Sequence, residues 1–506
     1  MAQRLRPAIA TAVAVAATLC ALARPGGGQP EPTKSDPEPA ESSGGHKPKA
    51  TTLDPAPIAE AMKKLAEDVD RWGGKVGVMV IDVRTGETIA ALGEHAAYNP
   101  ASNAKLVTAA AALRRLGGQW RYLTGLYGKQ SGDAVDELVL RGQGDPSLKT
   151  ADLWSMAHDL LDAGVHKVGS VSVDQGYFDD HYASPAFDSQ PNEWAPFRAP
   201  VSAVALNENT ATFVVRATKD GKDAAVTVDP PGFVDVTGSV RTAGKGDPEG
   251  VTVGLEPRGT RLAAKLGGHV PEGSRVMRIV KRVEDPRLLG GYALRAVLKE
   301  LGMEVGEVRL GGDKQKQLLV AHRSAPLGEL LLSLGKDSDN FYAETIFKTL
   351  GAEGKSRPAT AEAAAELATA TLQDMGALEP NVVIKNNSDL FDANRITPSA
   401  TCTLLRAAHR DGAIASEFVA QLAVGGVDGT LKGRFRSWAK ERAIRAKTGT
   451  LESVAALSGY VLPPPGRSPV AFSVLVNGIP GKVSGARASI DKLVETIAKE
   501  LYKGKR

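Results

Sequence analysis

Cysteine is nearly absent from this chain of 506 residues, which contains only two. Cys20 lies in an apolar run near the N-terminus, and Cys402 lies in an apolar stretch with a helical pattern. If the N-terminal run is removed, Cys402 remains alone, which excludes an internal disulfide. We therefore expect Cys402 to be a small buried apolar residue. The eight histidines are scattered, without cysteines at metal-ligand spacing, so no metal site is predicted.

The chain also has a small net charge and few aromatic residues. Lysine and arginine number 62 against 58 aspartates and glutamates, and only 5% of the residues are aromatic. The binding of nucleic acid would require a basic block interleaved with aromatic residues, and the sequence contains no such block. Nucleic acid is therefore not expected as a partner.

The N-terminus has the composition of an export signal. Arg4 and Arg6 precede a run of apolar or small residues over 7–23, which ends in Ala-Leu-Ala. We interpret residues 1–23 as a cleaved signal peptide, so that the protein is exported to the periplasm and has no strong membrane association afterwards. A retained membrane anchor is the alternative, although the run is short and alanine-rich for a stable span. A lipoprotein attached at Cys20 is a weaker alternative.

The two ends of the folded sequence carry similar patterns, in which strand candidates lie beside a helix. These are a helix at 54–72 and a hairpin at 75–92, then strands at 442–449, 453–462 and 469–477 and a helix at 484–502. We predict a fold of the α+β class, with one five-stranded antiparallel sheet flanked by helices and the middle of the chain inserted into it.

Short β-like runs separated by Gly, Asp and Pro dominate that middle segment. We predict that it forms inserted β-rich domains. The predicted division is a disordered linker at 24–52, a main domain at 53–129 and 318–506, an inserted domain II at 130–217 and 277–317, and a nested β-rich domain III at 218–276.

A serine and a lysine stand at the start of a predicted helix. Ser102 and Lys105 belong to Asn-Pro-Ala-Ser-Asn-Ala-Lys, which precedes an alanine-rich run. Lys105 follows Ser102 by three positions, so its amine can reach the hydroxyl. Serine becomes a nucleophile when a base removes its proton, and lysine serves as that base only if burial and neighbouring positive charge lower its pKa.

The Ser-x-x-Lys spacing alone is not specific. It also occurs at Ser333, Ser437 and Ser489, where a pair on a helix surface is the simplest interpretation. Two further motifs distinguish Ser102 from these three serines.

The first of these motifs is Ser338-Asp-Asn340, the only Ser-x-Asn in the chain. Its apolar flanks predict a kinked junction between two helices, where Ser338 can relay a proton and Asn340 can hold both the lysine and a substrate amide. An ordinary helix N-cap is an equally good interpretation of this segment by itself.

The second is Lys447-Thr448-Gly449-Thr450, at the end of a predicted strand. The cation and the two hydroxyls can clamp a terminal carboxylate. Gly449 would let a substrate backbone approach the strand edge. A simple hairpin turn is the alternative. The chain has no Gly-x-Ser-x-Gly motif and no His/Asp pair whose spacing points to another serine nucleophile.

Ser-x-x-Lys, Ser-x-Asn and Lys-Thr-Gly in this order resemble the signature of the penicillin-recognising serine enzymes. Further stretches resemble the class C low-molecular-mass penicillin-binding proteins, the D-Ala-D-Ala carboxypeptidases of the DacB type (peptidase family S13). They lie at 140–147, 199–209, 337–344 and 426–431. The resemblance extends over about residues 55–500 and includes the long insert between Ser102 and Ser338.

This resemblance implies a transpeptidase-like domain, of the serine β-lactamase and DD-peptidase type, interrupted by two nested β-rich domains. It implies removal of the terminal D-Ala from peptidoglycan stem peptides, often with endopeptidase action on cross-links, and covalent binding of β-lactams. The reaction that the resemblance implies requires no cofactor. By the same resemblance, Ser102 would be acylated with Lys105 as its base, Ser338 would pass a proton to the leaving amine, and Asn340 would hold the acyl side chain's amide.

The remaining roles are also implied by the resemblance. Lys447 would support Ser338 electrostatically, and Thr448 and Thr450 would bind the carboxylate beside Gly449. The backbone N–H groups of Ser102 and Thr450 would form the oxyanion hole.

One loop departs from the family pattern. Relatives have Asp-Gly-Ser-Gly-Leu-Ser where this chain has Asn-Asn-Ser-Asp-Leu-Phe at 386–391, so that Asn387 and Asp389 replace glycines and Phe391 replaces serine. Because this loop borders the pocket for the substrate side chain in the family, the preferred stem peptide stays open.

Two other functions are compatible with the same motifs. A β-lactamase would need a glutamate placed to activate water, and no loop of the sequence provides one. A non-catalytic cell-wall-binding protein of the same fold would not need three intact motifs.

Overall fold

The computed structural model describes residues 53–184, 194–312, 317–387 and 393–504. The predicted signal peptide and linker, and positions 388–391 of the departing loop, lie outside these residues. Within these ranges, none of the helices is both long enough and apolar enough to cross a membrane.

The first sheet joins the two ends of the chain, as predicted. Its strands follow the order β16-β17-β18-β19-β1-β2, and all neighbours are antiparallel. The strands are β1 (Lys75–Asp82), β2 (Thr88–Leu92), β16 (Ala423–Val424), β17 (Ile444–Leu451), β18 (Val454–Val461) and β19 (Val470–Asn477). The five predicted strands are confirmed, and the sixth, β16, is too short to show an alternating pattern.

Helices cover both faces of this sheet, which explains why β18 is buried along its whole length. One face packs against α1 (Pro55–Arg71) and α10 (Val483–Tyr502). The other face packs against a helical layer. That layer contains α2 (Lys105–Leu116), α5 (Leu327–Leu332), α6 (Asn340–Gly354), α7 (Ala361–Asp374), α8 (Pro398–Arg410) and α9 (Ala415–Ala420).

A second, mixed sheet follows the order β14-β6-β5-β3-β15, with β4 paired to β5. Its strands are β3 (Leu123–Gly128), β4 (Gln130–Ser131), β5 (Ala134–Gly142), β6 (Lys167–Asp174), β14 (Glu304–Leu310) and β15 (Gln317–Arg323), and it packs against α3 (Thr150–Asp162) and α4 (Leu289–Glu300). Because β3 pairs with β15 and β5, this sheet extends past the predicted limits of domain II at residues 130 and 317. The division into domains stays a prediction.

Between β6 and β14 the chain forms two small sheets around an apolar core of their own. Their orders are β13-β7-β8 and β10-β12-β11, with β9 paired to β12. The strands are β7 (Thr210–Arg216), β8 (Ala225–Asp229), β9 (Val234–Gly238), β10 (Arg241–Ala243), β11 (Gly250–Arg258), β12 (Arg261–Pro271) and β13 (Met277–Arg282). The α+β class with inserted β-rich parts is therefore confirmed.

Candidate active site

Ser102 lies in a 3₁₀ turn, Ala101–Ala104, that leads into α2. The sequence predicted the first turn of the helix itself; the α-helical bonding begins only at Lys105 because the backbone before Ser102 is left-handed. Ala101 has φ +46°, a conformation that costs a residue with a Cβ about 1–2 kcal/mol. Such strain persists only where the surroundings hold it in place.

Two asparagines fix this turn, and the sequence analysis missed both. The Ala101 N–H donates to Asn99 Oδ1 at 2.7 Å. The Asn99 N–H donates to Asn477 Oδ1 at 2.7 Å, and Asn477 Nδ2 donates to the Asn99 carbonyl at 3.0 Å. The end of β19 therefore holds the backbone that presents Ser102, a contact across 378 positions that no local pattern indicates.

The lysine of the first motif is completely buried and contacts Ser102. Lys105 Nζ lies 2.9 Å from Ser102 Oγ and 2.8 Å from Asn340 Oδ1, and the lysine has no exposed surface. Side chains three positions apart are eclipsed in a 3₁₀ turn, which explains the short distance between Ser102 and Lys105. The structure therefore brings the first two predicted motifs together.

The Ser-x-Asn motif lies at the predicted kinked junction. A π-helical turn, Ser333–Asp337, follows α5, and Ser338 then takes a left-handed conformation with φ +61° before α6 begins. The helix cap is Asp339, which accepts from the Tyr342 N–H at 2.9 Å. Burial, followed by the negative charge of Glu208, raises the pKa of Asp339. Because Asp339 forms the cap, the hydroxyl of Ser338 is available to the third motif.

The third motif reaches Ser338 through its lysine. Lys447 is fully buried on β17, and its Nζ donates to Ser338 Oγ at 2.8 Å and to the Thr448 carbonyl at 2.9 Å. Burial, and secondarily the positive charge of Lys105, hold the pKa of Lys447 well below its ordinary value. All three motifs therefore meet at one place, with two buried amines within electrostatic reach of each other.

Gly449 is required by packing within the protein. A Cβ at this position would lie 2.7 Å from the Pro100 carbonyl oxygen and 3.1 Å from the Ala101 Cβ. Strand β17 can therefore lie against the turn that carries Ser102 only if this residue has no side chain. The predicted approach of a substrate backbone at Gly449 stays a prediction.

The two threonines of the third motif have partners that the sequence analysis did not identify. Thr448 Oγ1 donates to Thr430 Oγ1 at 3.0 Å, and Arg487 Nη2 donates to Thr450 Oγ1 at 2.7 Å. Thr430 belongs to the stretch 426–431, which resembles the family, and this resemblance could have pointed to it as a residue of the site. Arg487 lies on α10, and no motif in the sequence pointed to it.

A segment of the inserted part borders the site. Asn340 Nδ2 donates to the Phe197 carbonyl at 3.3 Å, and Phe197 is 49% exposed. An exposed aromatic side chain beside the three motifs offers an apolar surface to a ligand. The nearby stretch 199–209 carried the family resemblance, but nothing in its pattern placed it against residue 340.

The described part of the departing loop is well bonded. Asn387 is buried, accepts from Thr108 Oγ1 at 2.7 Å and donates to the Ala343 carbonyl at 2.6 Å. Asn387, which replaces a family glycine, therefore joins the loop to α2 and α6 through hydrogen bonds. Asp389 and Phe391 lie outside the described residues.

Ser489 and Cys402 lie outside this site. Ser489 on α10 donates to Asp68 Oδ2 at 2.7 Å, on the face of the sheet away from α2. Cys402 is buried, as predicted, and burial raises the pKa of its thiol. Within the described ranges, no three His, Cys, Asp or Glu side chains cluster in a way that could hold a metal ion.

Comparison with known proteins agrees with this geometry. Residues 58–499 match the family model described as the D-Ala-D-Ala carboxypeptidase 3 (S13) family. The chain is 31% identical over 445 residues to the D-alanyl-D-alanine carboxypeptidase of Actinomadura sp. (strain R39), which covers 84% of this chain and 81% of that protein. It is 26% identical over 460 residues to the D-alanyl-D-alanine carboxypeptidase DacB of Haemophilus influenzae, covering 88% of this chain and 94% of the relative.

A solved structure gives the same result. The crystal structure of penicillin binding protein 4 (dacB) from Haemophilus influenzae superposes with a TM-score of 0.71 at 25% identity, over 88% of this chain and 99% of that chain. The motifs, the fold and the family match all agree, and the chain belongs to the D-Ala-D-Ala carboxypeptidase 3 (S13) family.

Proposed function

We propose that this chain is a serine-type D-Ala-D-Ala carboxypeptidase that acts through an acyl-enzyme formed at Ser102. The observation that supports this most is the fully buried amine of Lys105, 2.9 Å from the Ser102 hydroxyl. A fully buried amine held this close is suited to take a proton from the serine. Family membership supports the same reaction class.

Acylation forms one bond and breaks one. Ser102 Oγ attacks the carbonyl carbon of the penultimate D-Ala, while its proton passes to the amine of Lys105, a step that requires this amine to have lost its own proton beforehand. The backbone N–H groups of Ser102 and Thr450 stabilise the resulting oxyanion. The C–N bond then breaks, and the proton returns to the leaving nitrogen through the Ser338 hydroxyl.

The second buried amine supports that transfer. Lys447 donates to Ser338 at 2.8 Å, so it orients the hydroxyl that carries the proton. Asn340 holds the amide of the acyl portion, and Thr448 and Thr450 bind the terminal carboxylate. Water then attacks the ester at Ser102, which releases the shortened peptide and restores the free serine.

The proposed substrates are peptidoglycan stem peptides, in the periplasm after export. A cross-link between two stem peptides presents a similar D-Ala carbonyl, so endopeptidase action can use the same residues. β-Lactams combine a reactive amide with a carboxylate and would acylate Ser102. The exposed Phe197 ring would contact the substrate's side chain or the sugar beyond it.

The test is the release of D-Ala from a synthetic peptide ending in D-Ala-D-Ala. We expect release by the wild-type chain and by Ser489→Ala, which removes the serine of a Ser-x-x-Lys pair outside the site, and at least about a 10³-fold loss in Ser102→Ala. Rapid hydrolysis of penicillin without release of D-Ala would indicate a β-lactamase instead. If the wild-type chain neither releases D-Ala nor binds penicillin covalently, the result would indicate a non-catalytic binding protein.

A further inference from the structure

The proposed carboxylate end of the site contains a cation that the three motifs do not include. Arg487 lies in the second turn of α10, is exposed, and donates through Nη2 to Thr450 Oγ1 at 2.7 Å. In the part of the chain that the structure describes, no carboxylate lies within ion-pair distance of this guanidinium. Among the described residues, the positive charge of Arg487 therefore has no acidic side chain to neutralise it.

The contact with Thr450 also orients a second donor. A threonine hydroxyl has one hydrogen and two lone pairs. Because its oxygen accepts from Arg487, the hydrogen of Thr450 is free to donate to a ligand. Residues 448 and 450 lie on the same face of β17, so a carboxylate bound there would lie beside both threonines and could accept from the Thr450 hydroxyl and the remaining N–H groups of the guanidinium.

We infer that Arg487 is a specificity-determining residue that binds the free carboxylate of the D-residue released by the reaction. The inference rests on the proposed function, because it assigns Arg487 to the same site. A guanidinium matches a carboxylate in shape and charge, and it forms two parallel hydrogen bonds with it. A substrate whose terminal carboxylate is amidated has lost that charge and would gain nothing from Arg487.

The experiment compares two peptides that differ only at this group, one ending in D-Ala-D-Ala and one ending in its C-terminal amide. We expect Arg487→Ala to lower kcat/KM for the free acid about tenfold, mainly through a higher KM. The same variant should change kcat/KM for the amide by less than about twofold. Arg487→Lys should restore part of the loss, since an ammonium keeps the charge without the planar pair of donors.

Arg487→Gln separates charge from orientation of Thr450. Glutamine can still donate to the Thr450 oxygen, so this variant should resemble Arg487→Ala if the charge binds the substrate. Lys499→Ala is the matched control, because it removes one exposed positive charge from the far end of α10. We expect this control to behave as wild type towards both peptides.

A second measurement does not depend on hydrolysis of the amide. The rate at which benzylpenicillin acylates the protein should fall in Arg487→Ala, whereas the rate with the uncharged methyl ester of benzylpenicillin should not. Equal losses for charged and uncharged ligands, or no loss at all, would overturn the assignment of Arg487. Absence of both acylation and D-Ala release in the wild-type chain would instead overturn the proposed function.

Discussion

Two lysine side chains without exposed surface lie at the centre of the proposed site, and their chemistry follows from that burial. An isolated buried cation is costly, and burial holds the pKa of Lys447 well below its ordinary value. Lys105 donates to the Ser102 hydroxyl and to the side-chain oxygen of Asn340. Lys447 donates to the Ser338 hydroxyl and to the Thr448 carbonyl. Sequence spacing predicted the pairing of Lys105 with Ser102, and the family resemblance implied that of Lys447 with Ser338. Sequence spacing could not predict Thr430, Asn477 or Arg487, which contribute through contacts between distant segments.

Lys447 should make the stability of the protein depend on pH. Burial holds its pKa well below the ordinary 10.5, with a further contribution from Lys105. Between the lowered pKa and 10.5 the unfolded chain binds a proton that the folded chain does not, so the free energy of unfolding rises with pH there, by about 1.4 kcal/mol per pH unit. Below the lowered pKa, the full cost of burying this amine remains.

Lys447→Met should remove that dependence. The gain in unfolding free energy of this variant over the wild type should therefore be largest at low pH and shrink as the pH rises towards 10.5, while acylation by penicillin falls by about 10² or more. Urea unfolding at a series of pH values measures the difference, with the exposed Lys499→Met as control. A difference between Lys447→Met and wild type that does not vary with pH would contradict the buried, weakly basic amine.

At the scale of elements, the site depends on two irregular segments that regular elements hold in place. The 3₁₀ turn before α2 contains the left-handed residue Ala101, and the π-helical turn before α6 is followed by the left-handed residue Ser338. The sequence predicted the helices and the kink, because apolar periodicity and the Ser-Asp-Asn interruption are local signals. The left-handed residues could not be predicted, because contacts from β17 and β19 stabilise them.

The packing of β17 on the turn that carries Ser102 gives a prediction for this scale. Gly449→Ala places a methyl group 2.7 Å from the Pro100 carbonyl, so we expect a loss of about 1–3 kcal/mol in unfolding free energy and slower acylation of Ser102. Gly433→Ala is the control: that glycine is exposed, and a Cβ there would have no atom within 4 Å. Thermal unfolding and penicillin labelling measure both effects. Equal stability and labelling of the two variants would show that β17 does not constrain the turn.

At the scale of the whole molecule, the ends of the chain build one sheet and the middle is inserted into it. Strand β1 lies beside β19, and the segments at 102–105, 338–340 and 447–450 meet where the helical layer covers this sheet. The sequence predicted this arrangement from the matching patterns at its two ends. It placed the limits of the inserted part at residues 130 and 317, whereas β3 and β15 extend the second sheet beyond them, because strand pairing does not show in composition.

This architecture predicts that the nested β-rich part is dispensable for acylation. Thr210 and Arg282 are paired across β7 and β13, so residues 211–281 can be replaced by an Asn-Gly turn between them. None of the proposed catalytic residues lies in the deleted segment. We expect the shortened chain to react covalently with labelled penicillin at a rate close to that of the full chain. A folded but unlabelled product would show that this part contributes to the site.

The most direct test of the account as a whole is mass spectrometry of the intact chain and its proteolytic peptides after treatment with benzylpenicillin. The account predicts one penicilloyl group per chain, located on Ser102 and absent from Ser102→Ala. A group attached to any other residue, or labelling that persists undiminished in Ser102→Ala, would contradict it.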